Sequence, residues 1–558
     1  QITGRDGQTT VCRYDARSRL ITRQEASGAR TDYEWDGLDR VVQVTVTDTT
    51  SSADADGSNG NTSGRAGSAV ATGGESQSGR AVTSYEYEGA GRNPSTVTDP
   101  EGGVTRLVWD QNLLTEVVDP AGVRVRLGYD GHGDLVSTTN ADGDTARLAR
   151  DETGRVVAAI TPLGHRTEYR YDEAGRLASR QDPDGAIWRY EHTTAGRLSA
   201  VVDPDGGRTV TEYGPGGVEE ATTDPLGRRL EQEWDDLGNL AGVRLPDGRE
   251  WSYVHDGLSR LTETVDPAGG LWRREYDVNG MVAATVDPTG VRRGLAWAAD
   301  GSVTVSDASG TARVGVDGLG RPVSVSVSSA PAPGASGPDG PDARVVVRDL
   351  CGRPVEALDA DGGLTRLMRD AAGRLVEEIS PAGRSSRYEW DRCGRLSAVI
   401  GPDGARTTMA YDAASRLIAQ DGPAGPVRIG YDPCGRVTTV TAPGRGKTTW
   451  GYDRAGRVRS VRSPAWGLVR FVYDPAGQLT AVTNALGGVT RYDYDECGRL
   501  VQVTGPAGGV TRRGYTAGDR VETLVDPLGR TTRAGYDAAG RQLWQSDGTG
   551  ERLTFGWD

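Results

Sequence analysis

From Tyr452 to Asp474 the chain reads YDRAGRVRSVRSPAWGLVRFVYD, from Tyr473 to Asp493 YDPAGQLTAVTNALGGVTRYD, and from Tyr494 to Thr516 YDECGRLVQVTGPAGGVTRRGYT. A Tyr-Asp, a Gly, an apolar pair and a second Gly-containing turn return in the same order every 21 residues. A fixed period of this size marks a repeat architecture and governs every other reading. With the aromatic before Asp as position 1, the period runs through Arg369, Trp390, Tyr411, Tyr431, Tyr452, Tyr473, Tyr494, Tyr515, Tyr536 and Trp557. Upstream it passes through Tyr213, Trp234, His255, Tyr276 and Trp297. Earlier copies start at Tyr14, Trp35, Tyr87, Trp109, Tyr129, Arg150, Tyr171 and Tyr190, and Val316 and Arg348 complete a set of 25.

Each copy carries two punctuation marks. The first is Asp-x-x-Gly at positions 2 to 5, as in Asp432 to Gly435. The second is Asp-Pro-x-Gly at positions 12 to 15, as in Asp266-Pro267-Ala268-Gly269, Asp287-Pro288-Thr289-Gly290 and Asp526-Pro527-Leu528-Gly529. Asp at the head of a four-residue turn accepts backbone N–H groups, Pro presets φ at the second position, and Gly supplies the left-handed residue. Both marks read as hairpin turns. Single copies depart from the pattern: Ser415 stands in for the turn Gly and Ala485 for the turn Pro.

Between turns lie short runs rich in Val, Leu, Thr, Tyr and Trp, which suit strands. One repeat is therefore one β-hairpin, and the chain is an all-β meander of about 25 hairpins. Open sheets past about ten strands curl or split. Neither face reads as consistently apolar, since Val458 to Arg462 mix both characters. The expectation is a sheet wound into a spiral β-shell with a wet interior. Two side-by-side propellers are the rival, since 25 hairpins give about 12 four-stranded blades, more than one propeller's usual 4 to 8, but the phase from Arg348 to Trp557 shows no boundary between two.

Two insertions break the period, at residues 49–82 and 328–342, both rich in Gly, Ser, Pro and Asp. They read as flexible loops grown from turns, because the phase resumes after each. Residues 1–558 thus form one continuous repeat segment. Asp6-Gly7 sits where a second turn belongs, so the chain opens in mid-repeat and is expected to be a fragment of a longer one.

Composition agrees with a thin sheet. Of 558 residues 36% are apolar, with 80 Gly but only 2 Phe and 3 Met, which leaves little for several thick cores. A net charge of −14 disfavours a phosphate backbone as partner, so nucleic acid is not expected. Positive charge is carried almost wholly by Arg, with Lys447 the one lysine. No apolar run approaches the roughly 18 residues needed to span a bilayer.

No constellation of catalytic or ligating residues emerges. The histidines His132, His165, His192 and His255 stand apart, and no thiol pair has ligand spacing. Four of the five cysteines, Cys351, Cys393, Cys434 and Cys497, share the slot before the turn Gly and read as small turn residues. The glycines punctuate hairpins and open no helix, so no phosphate loop is expected. No catalytic, metal or cofactor site is assigned, and no cofactor is expected. The residues singled out are structural: Tyr14, Trp35, Tyr171, Tyr276, Trp390, Tyr411, Tyr431, Tyr452, Tyr473, Tyr494, Tyr515 and Tyr536 as stacking aromatics, with the turn residues above.

The copies YDEAGRL (Tyr171 to Leu177), YDRAGRV (Tyr452 to Val458) and YDECGRL (Tyr494 to Leu500), each followed by a second Gly turn, resemble the YD repeats of the rearrangement-hotspot (RHS) family. The resemblance covers nearly the whole chain outside the insertions. It implies a spiral β-shell, as in bacterial polymorphic toxins, the cocoon of insecticidal Tc toxins and animal teneurins. In the bacterial members it implies a wall enclosing a toxic C-terminal domain until delivery. Such shells usually end in an aspartyl autoprotease segment, whereas here Asp526-Pro-Leu-Gly529 leads into another ordinary repeat, so no protease residue is carried over.

Two functions follow as expectations. One is a non-enzymatic shell segment of a secreted or cell-surface bacterial protein, partnered by its own C-terminal effector and a delivery component. The alternative is a cell-surface adhesion or carbohydrate-binding module using the aromatic ladder.

Overall fold

The computed structural model describes residues 2–3, 9–25, 29–47, 80–298, 302–316, 321–329, 342–359 and 361–557. Among these are fifty β-strands, most of them joined by tight turns within the described residues, and a single 3-10 turn at Pro215–Gly217. The chain divides into one unit of Gln1–Leu127, Tyr276–Ala284 and Arg293–Gly404, and another of Gly128–Glu275, Thr285–Arg292 and Ala405–Asp558.

In both units the paired strands are sequence neighbours and antiparallel. β44 (Val489–Tyr494) pairs with β45 (Leu500–Thr504) through Arg491↔Thr504, Tyr492↔Val503 and Asp493↔Gln502, then slips to Tyr494↔Leu500. β45 pairs with β46 (Val510–Tyr515) through Gln502↔Arg512, Val503↔Thr511 and Thr504↔Val510. The slip is a β-bulge immediately before position 1, and it recurs from Arg13/Tyr14 to Gly535/Tyr536.

The bulge corrects two sequence readings. Because it shifts parity within each repeat, counting every second residue through it mixes the two faces. Pairing separates them. Phe471 lies opposite Val482 and Trp450 opposite Val461 on one face, while Arg470 lies opposite Thr483 and Ser460 opposite Gly451 on the other. The run Val458 to Arg462 therefore does alternate. The bulge at Glu191/His192 also makes His192, not Tyr190, the position-1 residue of its repeat. Tyr190 pairs with Val201 instead.

The sheet is thin. The only buried hydrophobic residues described are Ala158, Ala186, Ala200, Ala221, Ala284, Ala398 and Val461. Ala200 faces Glu191 and Val210, and Ala398 faces Glu389, so small side chains are covered by the longer neighbours across the strand. With so little apolar volume, order must come from backbone ladders, turn chemistry and contacts between side chains across strands.

The insertions at 49–82 and 328–342 lie almost entirely outside the described residues, as does Asp6-Gly7. Arg80 already belongs to β6 (Arg80–Tyr87), which pairs with β5 (Val41–Thr47). β29 (Pro322–Ser329) likewise pairs with β30 (Asp342–Arg348). Each insertion thus joins two paired strands.

Candidate functional site

The motif Tyr-Asp-x-x-Gly-Arg is one hydrogen-bonded device. In the copy at Tyr171, the Asp172 N–H donates to the Arg176 carbonyl at 2.9 Å and the Gly175 N–H to the Asp172 carbonyl at 2.9 Å. Asp172 Oδ1 accepts the Arg176 N–H at 2.9 Å, and Oδ2 accepts Arg176 Nε at 2.7 Å. The result is a three-residue loop with Gly175 left-handed (φ 80°). Arg176 is therefore held beside its own Asp.

The ring at position 1 fills a gap that the ladder leaves. β13 (Val156–Ile160) and β14 (Arg166–Tyr171) pair only from Ala158 to Ile160, so the Val156 carbonyl is left without a ladder partner. The Tyr171 hydroxyl donates to it at 2.8 Å. Arg155, from the preceding turn, lies over the same ring, 4.9 Å from its centre. In this copy the repeat is thus capped by the next one's aromatic and stacked by its own Arg.

The other named aromatics sit as follows. Tyr452, Tyr473, Tyr494, Tyr515 and Tyr536 donate to Val437, Val458, Leu479, Leu500 and Val521, fifteen residues back in each case. Tyr431, after a 20-residue step, reaches Leu417. Trp35 and Trp390 use Nε1 on Leu20 and Leu375. Arg369 substitutes its guanidinium, bonding the Pro354 carbonyl at 3.1 Å. Tyr276 and Tyr411 close β24 (Leu271–Tyr276) and β36 (Arg406–Tyr411), and Tyr14 is 58% exposed. With head groups on carbonyls and arginines over several faces, these rings are committed within the sheet, which does not favour sugar stacking.

His255 breaks the device, since its Nδ1 is buried without a partner. Replacing His255 by Tyr restores a hydroxyl long enough to reach the Leu240 carbonyl, fifteen residues back. His255→Tyr is expected to stabilise the fold by about 1 kcal/mol. Urea unfolding followed by tryptophan fluorescence checks this, and an unchanged or lower midpoint would count against the capping role.

The second turn uses the same chemistry. Asp266 Oδ1 accepts the N–H groups of Ala268 and Gly270 at 2.9 and 2.8 Å. Asp287 serves Thr289 and Val291, and Asp526 serves Leu528 and Arg530. Pro267, Pro288 and Pro527 stand at the second turn position, and Gly269, Gly290 and Gly529 have φ of 83, 86 and 81°, as Gly435 of a first turn has 85°.

Bonds of this kind hold the carboxyls of Asp151, Asp172 and Asp256 below the usual range. Arg176 and Arg260 side chains lead the effect on Asp172 and Asp256, and the Thr153 hydroxyl leads it on Asp151, lowered to about 2. A depressed folded pKa gives stability that is present above the unfolded value near 3.9 and lost as pH falls through the folded one. Many turns titrate together, so the fold is expected to be insensitive from about pH 8 to 5 and to collapse steeply between about 4 and 2. Circular dichroism during acid titration tests this, and loss of structure beginning above about pH 5 would contradict it.

What sequence reasoning missed is that turns from distant repeats meet. Within the second unit, Arg436 bonds Asp184 at 2.7 Å and Arg457 bonds Asp205 at 2.7 Å. Arg499 approaches Asp247 at 3.4 Å, and Arg541 donates to Thr289 at 3.2 Å. All four pairs are 252 residues apart, joining a first turn to the second turn of the twelfth repeat before it. In the first unit the Leu350 N–H donates to Glu101 at 2.6 Å with the same twelve-repeat offset.

The turn cysteines belong to this seam, where the sequence suggested only a tolerant slot. Cys434 bonds Asp184, and Arg249 donates to the Cys497 thiol at 3.5 Å. Burial pushes both thiols up. All five cysteines are free. A signal did exist in the sequence: Gly207 and Gly270 follow turn glycines at positions where the turn itself needs no Gly. Among the described residues no group of three or more His, Cys, Asp or Glu is placed to hold a metal ion.

With this geometry the comparisons agree. The RHS Repeat family model matches residues 14–51, 108–145, 150–187, 174–209, 234–271, 255–292, 369–406, 394–427, 411–447, 431–465, 473–511 and 498–531, more than half of the chain. The chain belongs to the RHS repeat family. Among solved structures it is similar to TcdB2-TccC3, at 15% identity and a TM-score of 0.63, covering 99% of this chain and 37% of that one. It is also similar to TcdB2-TccC3 without its hypervariable C-terminal region, at 14% identity and a TM-score of 0.60, covering 97% and 38%. The Photorhabdus luminescens Tc holotoxin pore matches at 14% identity and a TM-score of 0.51, covering 98% and 31%. The chain therefore has the all-β YD-repeat shell fold and spans less than two fifths of the length of these structures. Comparison with curated protein sequences gives no match.

Proposed function

We propose that this chain is the wall of an RHS-type shell that encloses a C-terminal toxin or effector domain lying outside the given sequence. A structural, shell-type role follows from the family and the fold. The observation that supports the finer reading is that the match to TcdB2-TccC3 covers 99% of the chain. The turn-to-turn seam supports it, since a wall must join its own successive courses. The reading assigns no catalytic role to the repeats and no cofactor. It places the protein outside a bacterial cell or on its surface, with the effector and a delivery component as partners. The two insertions are read as loops grown from hairpins.

The test uses the complete reading frame. Under limited proteolysis of the intact protein, a non-repeat C-terminal domain is expected to resist cleavage until the shell is unfolded. A frame that ends within the repeats, or a C-terminal domain cut as fast as its isolated form, would refute enclosure.

A further inference from the structure

Position −3 of each repeat, three residues before the position-1 residue, repeatedly carries Arg. In four repeats a Glu directly across the strand neutralises it. Arg126 pairs with Glu116 at 2.9 Å and Arg273 with Glu263 at 3.0 Å. Arg366 pairs with Glu356 at 3.2 Å and Arg387 with Glu377 at 3.3 Å. Over the last repeats the arginines persist while the acids disappear. Arg470, Arg491, Arg512 and Arg533 lie opposite Ser460, Ala481, Gln502 and Thr523.

Their other neighbours across the strand are Thr483, Thr504, Val525 and Ser546, which are also uncharged. Arg512 bonds only the Gln502 amide oxygen, at 3.0 Å. All four side chains are exposed. The register puts them on one face, one per hairpin, so successive guanidinium groups stand about 9.6 Å apart along the ribbon. In a chain of net charge −14, this is a row of cations with no acid directly across the strand; Asp493, two residues along from Arg491 on the same face, is engaged by the Gln502 amide at 3.0 Å.

The geometry points to a docking stripe for an extended acidic polypeptide segment, formed by Arg470, Arg491, Arg512 and Arg533. A chain in polyproline II conformation turns once per three residues and rises about 9.3 Å per turn, so a carboxylate at every third residue meets each guanidinium in step. Beside the arginines the face offers mostly Ser, Ala, Thr and Val, and its Trp544, opposite Gly535, already carries the Arg552 guanidinium 4.0 Å from its ring centre, which favours carboxylates over sugar rings. The inference does not rest on enclosure of an effector, because it is measured with an added peptide.

The probe is a fluorescent peptide with Glu at every third position among prolines, titrated with the full chain and followed by anisotropy at low and high salt. Binding is expected at low salt and weakened by added salt. Changing all four stripe arginines to Gln should weaken it about tenfold or more, whereas changing Arg126, Arg273, Arg366 and Arg387 to Gln should leave it nearly unchanged. A peptide with Glu at every second position should bind less well. No binding by the unaltered chain, or equal loss in both quadruple variants, overturns the stripe. A sulfated glycan that binds the stripe more tightly than the peptide overturns the choice of partner. Unchanged circular dichroism and urea midpoints show that each variant remains folded.

Discussion

Gly207→Ala is expected to destabilise the second unit by about 3 kcal/mol, more than the same change at its neighbour Gly206. The two glycines follow one another in the turn Asp203 to Gly207, but they matter for different reasons. Gly206 has φ 93° with open space where a Cβ would go, so Gly206→Ala meets only backbone strain, about 1 kcal/mol. Gly207 has an ordinary φ, and its absent Cβ would lie 2.7 Å from Asp203 Oδ2 and 2.7 Å from the Pro475 carbonyl oxygen. The carboxylate is fixed, because Asp203 Oδ1 accepts the Gly207 N–H at 2.8 Å. Pro475 belongs to a turn thirteen repeats further on, and its carbonyl is backbone. Adding one methyl group must therefore push these turns apart and strain the Arg457–Asp205 pair beside them. Gly270 is built the same way, with Asp266 Oδ2 at 2.6 Å and the Ala538 carbonyl at 2.8 Å. Urea unfolding of the two alanine variants decides the matter. Were Gly206→Ala the more costly, close approach at the seam would not be the reason for the second glycine.

The repeat was legible because its chemistry is local. Asp-x-x-Gly and Asp-Pro-x-Gly each satisfy their own backbone groups within five residues, so the hairpins could be read one at a time. The position-1 ring was legible as structural, but its partner was not. Tyr171 works on a carbonyl fifteen residues away, and only the widened end of the β13–β14 pair leaves that carbonyl open. Face assignment failed for a related reason. A bulge adds one residue without leaving a composition signal, so Tyr190 looked like a repeat start and Val458 to Arg462 looked mixed.

The seam was hidden for a different reason. Nothing in the local sequence of Asp184 names Arg436, 252 residues later. The offset is set by how many hairpins the ribbon runs through before its turns meet again, a property of accumulated strand twist rather than of any motif. The unexplained second glycines and the small residue before the turn Gly recorded the contact indirectly. Gly207 leaves room for the Pro475 carbonyl, and Cys434 bonds Asp184.

That seam changes what a weak turn should do. In a one-dimensional array stability is a sum of unit and nearest-neighbour terms, so a single poor hairpin stays a local fault. Gly435→Val is such a fault: φ is 85° and the nearest atom to a new Cβ is Arg416 Nη1 at 3.7 Å, so there is room but the conformation resists a β-branched side chain. Ser415, Ser259 and Asp519 hold left-handed φ of about 60° at the equivalent position, and their small polar side chains can bond locally, which Val cannot. We expect a cost of about 1–3 kcal/mol with the ribbon still folded. Gly435, however, lies between Cys434 and Arg436, both of which bond Asp184. Strain in this turn should therefore be felt twelve repeats away. A double-mutant cycle of Gly435→Val with Asp184→Asn measures this directly, and a coupling of about 0.5 kcal/mol or more is expected. Strict additivity would restore the one-dimensional picture. Complete loss of folding from Gly435→Val alone would show that every turn is needed for closure, and the array description would fall.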